Sequence, residues 1–431
     1  MLETPPEAPA AAVEPARIPG GYVSRMAGAQ FAMYMAILTP LIGGLSVRIQ
    51  HLVGVDAAPT QLGLVTGTGA LFAMVCQPLA GRLSDRSMSR FGMRRPFVVG
   101  GVLGMFLALT VCAVAPDVTI LLVAWCVAQG AANFAFAGAT ATVADQVPEN
   151  KRGFVSGIIG ASTPLGILVG SALLSALSTD FLRFFVPALF ALVFGTWFGL
   201  RLKDRVRAQP PTEPLRIRSL LMSFVFNPRK NPDFGWAWLS RFFIVLGYGA
   251  LSGYLTLFLA AHFGMTDTDE QLRFNAIANA LNIAPLMVCA VLGGFLSDRI
   301  GRRKPFVLIS GLVISGALVV AAFTPAMGSA GLPVLLVVEV VIGIGAGMLF
   351  AVDQALCIQL LPSKEDTAKD LGVLNMANTL PTSVSPFLAG VLVIPVGNTL
   401  LDGAGYSTWF VVSALFCVIG SLLITRVKSA T

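Results

Sequence analysis

Glu339, Asp353 and Arg241 sit inside long apolar stretches of the chain, where their types and spacing support two kinds of chemistry, a buried ion pair and a proton carrier. An ionisable group in hydrocarbon costs several kcal/mol unless it faces a cavity or a partner. Glu339 and Asp353 share one helical stretch at a separation of about 21 Å along the axis and about 40° around it, from a helical rise of about 1.5 Å and a turn of about 100° per residue. Both are expected to look into a common cavity, Glu339 from its outer half and Asp353 from its inner half. Arg241, about one and a half helical turns into another stretch, should reach a depth similar to that of Asp353. The two are expected to approach each other, either as a pair loosened by protonation or ligand arrival or as a permanent structural ion pair. Glu339 has no evident partner and is the candidate proton carrier.

The elements that must position these groups follow from composition. Of 431 residues, 55% are hydrophobic and 12% charged, with a mean hydropathy of +0.80. A bilayer-spanning helix needs roughly 20 predominantly apolar residues. Such stretches occur from Ala27 to Val47, Thr60 to Ala80, Phe97 to Ala115, Val118 to Ala144, Phe154 to Leu177, Phe184 to Leu200, Trp236 to Ala261, Phe274 to Leu296, Phe306 to Phe323, Leu332 to Leu361, Leu371 to Pro395 and Gly405 to Thr425. These predict an all-α integral membrane protein of twelve spans, numbered here in chain order. The runs are continuous rather than alternating, which excludes a barrel, and the abundant Gly and Pro suit packed membrane helices.

Orientation comes from the 29 Lys and Arg. All fall in the tail, alternate loops and the carboxyl end, except Arg48, Arg183 and Arg273 in the opposite loops and Arg241 inside a span. By the positive-inside rule both termini are cytoplasmic. The net charge of +7 is thus a topology signal, with no soluble domain to present it to nucleic acid. The expected organisation is a disordered cytoplasmic tail over 1–24, a six-helix bundle over 25–202, a cytoplasmic linker over 203–235 with an amphipathic stretch from Ile217 to Phe226, a second bundle over 236–425 and a short cytoplasmic tail over 426–431. Six cysteines lie within spans, in no disulfide or metal-site pattern, and are expected as packing thiols.

The two bundles repeat one another. GRLSDRSMSRFGMRRP, Gly81 to Pro96, returns as GFLSDRIGRRKP, Gly294 to Pro305. Ser24-Arg25 matches Ser240-Arg241, DQVPENKRG matches QLLPSKEDTAKD so that Pro148 corresponds to Pro362, and Pro164 matches Pro381. Parallel repeats of six helices imply a cavity between halves, open alternately to each side. G-x-L-S-D-R followed by G-x-R-R/K-P after spans 2 and 8 resembles the major facilitator superfamily, across essentially the whole chain. The first copy carries four extra residues between Asp85 and Gly92. That longer form, DRSMSRFGMRRP, is similar to the loop of plant sucrose carriers and of glycoside-pentoside-hexuronide cation symporters.

The resemblance implies a secondary active transporter working by alternating access. It assigns gating to Asp85, Arg86, Arg95, Asp298, Arg299 and Arg303, where a carboxylate at a helix amino terminus accepts from arginines of its loop. The first solute class it implies is a sugar or glycoside, moved with a proton or sodium ion. The alternatives are a proton-driven drug or metabolite exporter and a non-transporting assembly or sensor protein, which solute counterflow would separate from a carrier. Arg25 has Ala139 where Arg241 has Asp353, so Asp145 is its expected partner. Polar groups expected to meet cargo are Gln30, Tyr34, Gln129, Asn133, Tyr248, Tyr254, Asn279, Asn282, Gln354, Asn375 and Asn378, through directional hydrogen bonds and aromatic faces, with interhelical bonding the competing role.

Two features restrain the sugar reading. Sucrose carriers place an acid in span 4 where this chain has Gln129, which moves coupling to span 10. Gly160, Pro164, Gly166 and Gly170 resemble the Gly/Pro pattern of drug-proton antiporters, although close helix packing also explains them. An enzyme is not expected, since His51 and His262 lie at outer helix ends and no phosphate loop, nucleophile elbow or metal-ligand cluster is present. Neither a cofactor nor a metal is expected, and a monomer in the bilayer is.

Overall fold

The computed structural model describes residues 18–206, 231–360 and 367–428. The tail up to position 17, the stretch from Ile217 to Phe226, Pro362 and the last three positions lie outside the described residues. Every regular element among the described residues is helical.

Among the described residues, ten apolar helical runs are long enough to cross a bilayer, and two of them, Tyr22–Arg86 and Lys304–Gln359, each hold two of the twelve expected spans. In the first run, Tyr22–Thr39 continues through a π-helical turn, Pro40–Gly44, into Leu45–Arg86. The break between spans 1 and 2 falls at Gly54, whose φ of 80° suits a residue without Cβ. In the second run, span 9 (Lys304–Phe323) joins span 10 (Gly331–Gln359) through a 3-10 segment, Thr324–Ala330.

Spans 3 to 6 are Arg95–Val114, Val118–Gln146, Glu149–Ala176 and Asp180–Arg201. Span 7 is divided at Gly249 into Pro232–Tyr248 and Ala250–Phe263. Span 8 is Thr268–Ile300, and span 12 is Gly405–Leu423. Span 11 runs from Thr367–Phe387 through a π-helical segment, Leu388–Val393, to Ile394–Leu400.

Local chemistry fixes several of these starts. Asp117, Thr179 and Asp267 accept from the first-turn amides of Ile120, Leu182 and Asp269. Pro96 and Pro305 open spans 3 and 9 at positions where the missing N–H is not needed.

Packing repeats between the halves. Span 1 packs on 5 and 6, span 2 on 4, and span 3 on 4 and 6; in the same way span 7 packs on 11 and 12, span 8 on 10, and span 9 on 10 and 12. The halves meet mainly through spans 2 with 11 and 5 with 8, two contacts exchanged by the same pseudo-twofold relation, and span 2 also touches the second part of span 7.

Small residues set the closest approaches. A Cβ on Gly343 would lie 2.1 Å from the carbonyl oxygen of Asn282, and one on Gly347 2.3 Å from that of Leu286, so span 8 rests almost directly on the backbone of span 10. Between the halves, a Cβ on Gly63 would meet the Pro386 carbonyl at 2.7 Å and one on Gly390 the Pro59 carbonyl at 2.1 Å.

Candidate functional site: a cavity between the halves

A cavity of about 620 Å³ lies between the halves, walled by residues of spans 1, 2, 4, 5, 7, 8, 10 and 11. Its surface is dominated by Ile, Leu, Val, Ala, Met, Phe and Pro side chains such as Leu41, Leu62, Met74, Ile167, Ile283 and Phe350. Among the described residues, Glu339 is the single charged group in that wall. It is 3% exposed, and Asn282 donates from Nδ2 to its Oε2 at 2.8 Å. The close seat at Gly343, one turn along span 10, brings Asn282 to this position. Tyr248 also faces the cavity and packs edge-on against Phe350, with ring centroids 5.4 Å apart.

Arg241 and Asp353 form the expected pair, Nη1 to Oδ2 at 3.2 Å, with side chains 6% and 1% exposed. Arg241 also donates from Nε to Asn378 Oδ1 at 2.7 Å, and the Cys357 thiol lies 3.7 Å from Asp353. The expectation that Asp353 looks into the cavity is corrected, because the wall includes Glu339 but not Asp353. An arginine at the same depth draws that carboxylate sideways into the bundle.

The cargo candidates divide. Gln129, Asn133, Tyr248, Tyr254, Asn279 and Asn282 line the cavity. Gln30, Tyr34, Gln354, Asn375 and Asn378 lie off the wall. Gln30 is buried and donates to Thr140 Oγ1 at 3.4 Å. Tyr34 packs on Phe136, with centroids 4.5 Å apart. Asn378 serves Arg241, while Gln354 and Asn375 are exposed. Several wall groups are already engaged: Asn133 donates to the Gln129 carbonyl, Asn279 to that of Asn275 and Tyr254 to that of Pro386.

We call the end bearing the S-D-R loops the inner end. There, Arg94 organises the first half, donating to Asp85 at 2.6 Å and to Asp145 at 3.0 Å. The expected pairing of Arg25 with Asp145 is thereby corrected: Arg25 donates to the Gly20 carbonyl instead. The helix-capping acid is also different. Asp204, rather than Asp85, accepts from the backbone amides of Arg94 and Arg95 at 2.7 Å each. Arg95 reaches the Leu202 carbonyl at 2.6 Å, and Arg86 forms no ion pair among the described residues. In the second half Arg303 bonds Asp298 at 3.1 Å and the Ala355 carbonyl at 3.0 Å, while Arg299 is exposed.

The opposite end is tied across the halves by groups that the sequence reading left as loop charges or histidines without a role. Arg183 Nη2 meets Asp269 Oδ1 at 2.7 Å, and His51 bridges Asp180 at 2.8 Å and Thr268 at 3.2 Å. Gln50 donates to Gln271 at 3.3 Å, and Asn275 to the Ile42 carbonyl at 2.9 Å. These bonds converge on the first two turns of span 8. These cross-half bonds hold the end opposite the S-D-R loops shut.

This arrangement is that of a two-bundle membrane transporter rather than an enzyme. The family model for the Major Facilitator Superfamily matches residues 22–287 and 237–430, and the chain belongs to that family. It is 26% identical over 301 residues to the multidrug resistance protein MdtG of Escherichia coli O9:H4 (strain HS), covering 68% of each chain. To MdtG of Dickeya zeae (strain Ech586) it is 27% identical over 300 residues, again covering 68% of each. Among solved structures, a nucleoside transporter, NupG, shares the fold with a TM-score of 0.73 at 14% identity, covering 95% of this chain and 100% of that one. A D-xylose-proton symporter does so with a TM-score of 0.69 at 15% identity, covering 95% and 97%.

Proposed function

We propose that this transporter moves a small, largely apolar organic solute across the cytoplasmic membrane, coupled to a proton carried by Glu339, as an exporter of drug-like or metabolic compounds. Both termini and both S-D-R loops are assigned to the cytoplasm. The observation that carries this reading is the cavity wall: hydrocarbon and aromatic side chains around one carboxyl group and no basic side chain among the described residues. An anion finds no counter-charge there, whereas an apolar body with a few polar atoms is accommodated. The similarity to the MdtG proteins, named for multidrug resistance, supports the same class.

Proton coupling rests on the position of Glu339. Its carboxyl group borders the cavity and accepts from a neutral amide rather than a cation. Adding or removing a proton there changes the charge of an otherwise uncharged wall, which alters the cost of closing it around a solute. Alternation then exchanges one set of closures for the other. The outer bonds to span 8 break, and acids and arginines of the inner loops, among them Asp298 and Arg303, draw the inner ends together.

The test is transport by the purified protein in proteoliposomes under an imposed pH gradient, with amphipathic dyes and sugars in parallel. Gradient-driven movement of the dyes, abolished when the gradient is collapsed, is expected. Counterflow of sugars alone would replace this reading with the second one, a sugar carrier. That second reading is favoured by the Gln129, Asn133, Thr379, Thr382 and Ser383 side chains on the same wall. Repeating the assay with a sodium gradient separates the two candidate coupling ions.

A further inference from the structure

A second recess lies at the inner end of the first half, where span 1 begins and span 6 ends, outside the transport cavity. Its volume is about 100 Å³, roughly that of three waters. Arg25, Arg201 and Lys203 line it together with Gln146, Tyr22 and Phe198, and no acid is among its lining residues that the structure describes. The nearest acids in sequence are engaged elsewhere, Asp145 with Arg94 and Asp204 with the amides that open span 3.

The recess is built rather than incidental. Arg25 Nη2 donates to the Gly20 carbonyl at 3.0 Å, folding the guanidinium back over a turn in which Gly21 takes a φ of 67°. A Cβ on Gly21 would lie 3.0 Å from Arg25 Nη1, so the glycine both makes the turn and leaves room for the cation. Gln146 Nε2 donates to the Lys203 carbonyl at 2.9 Å, which fixes the chain after span 6 against the end of span 4. Tyr22 and Phe198, both buried, form an apolar floor with ring centroids 6.0 Å apart.

Three like charges held around a small recess repel one another unless an anion joins them. An aromatic floor with a cationic rim, at the level where helices leave the bilayer, matches a phospholipid headgroup, with its phosphate on the arginines and its glycerol carbons on the rings. We propose that this recess binds the phosphate of an anionic phospholipid. Bound there, the lipid clamps the start of span 1 to the ends of spans 4 and 6, next to the Arg94 network.

Thermal unfolding of the full-length protein in neutral detergent tests the site, with phosphatidylglycerol, phosphatidylcholine or inorganic phosphate added. Phosphatidylglycerol is expected to raise Tm by about 3 °C or more and phosphatidylcholine not to. The double variant Arg25→Gln/Lys203→Gln should lose the rise. Arg426→Gln/Lys428→Gln, which removes the same charge elsewhere on the inner face, should keep it. Should the first variant fold poorly, Arg201→Gln on an exposed helix end is expected to shift the half-maximal lipid concentration upward. An equal rise with inorganic phosphate would support the phosphate site and assign it to the free ion. A rise that is equal with phosphatidylcholine, equal in both double variants, or absent in the unaltered protein would overturn the proposal.

Discussion

Arg241 and Asp353 each place a charge in an apolar interior, so the presence of either makes the other necessary. Removing one partner strands a buried charge: Asp353→Asn is expected to destabilise the protein by about 3 kcal/mol or more. Arg241→Met/Asp353→Leu should recover most of that loss, as chemical unfolding in detergent would show. Glu339 differs because its partner is neutral. In Glu339→Gln, solute counterflow should persist while the difference between fluxes at acid and neutral pH disappears; an unchanged pH dependence would remove Glu339 from coupling. The ion pair was legible in the sequence because helical rise fixes depth. Asn282 as the partner of Glu339 was not, because its direction depends on how closely span 8 settles on Gly343. The same applies at the inner loop, where consecutive arginines are equivalent as letters. The fold gives Arg94 the acids and Arg95 a carbonyl.

Helical spans could be placed by hydropathy, since twenty apolar positions in a row have few other uses. The observed helices run on past several expected ends, as in span 8, Thr268–Ile300 against Phe274 to Leu296. Their interruptions were less visible. The π-helical turns at Pro40–Gly44 and Leu388–Val393 and the break at Gly249 arise where helices bend around neighbours. Close approaches at glycine give this scale its predictions. Gly63 of span 2 abuts the Pro386 carbonyl of span 11 in this conformation, in which the outer end is tied across the halves. Gly63→Ala should therefore shift the population toward the outward-open state, read as longer distances between spin labels across the outer end. Loss of the Arg183 contact in Asp269→Asn should act in the same direction, and unchanged distances in both would show that these contacts do not hold the outer end shut. Gly343→Ala forces a methyl group against backbone and is expected to cost about 1–3 kcal/mol, measurable as a lower Tm.

At the scale of the molecule, the repeated S-D-R loops predicted two equivalent halves, and the principal helix contacts within each half follow that relation. Orientation in the membrane rests on the distribution of Lys and Arg. A cysteine at Ser87, in the turn after span 2, should react in intact cells only with a membrane-permeant maleimide. One at Leu401, at the opposite end, should also react with an impermeant one. Labelling of the Ser87 position from outside would reverse the topology and the assignment of inner and outer gates. The sequence alone determined the number of spans, the twofold repeat and the depth of each charge, because these follow from hydrophobic length, local motifs and the fixed rise of a helix. Only the tertiary structure decided which polar groups face the cavity, which are spent between helices and which end is shut. Those outcomes depend on helix rotation and on approaches of a few ångströms between segments distant in the chain.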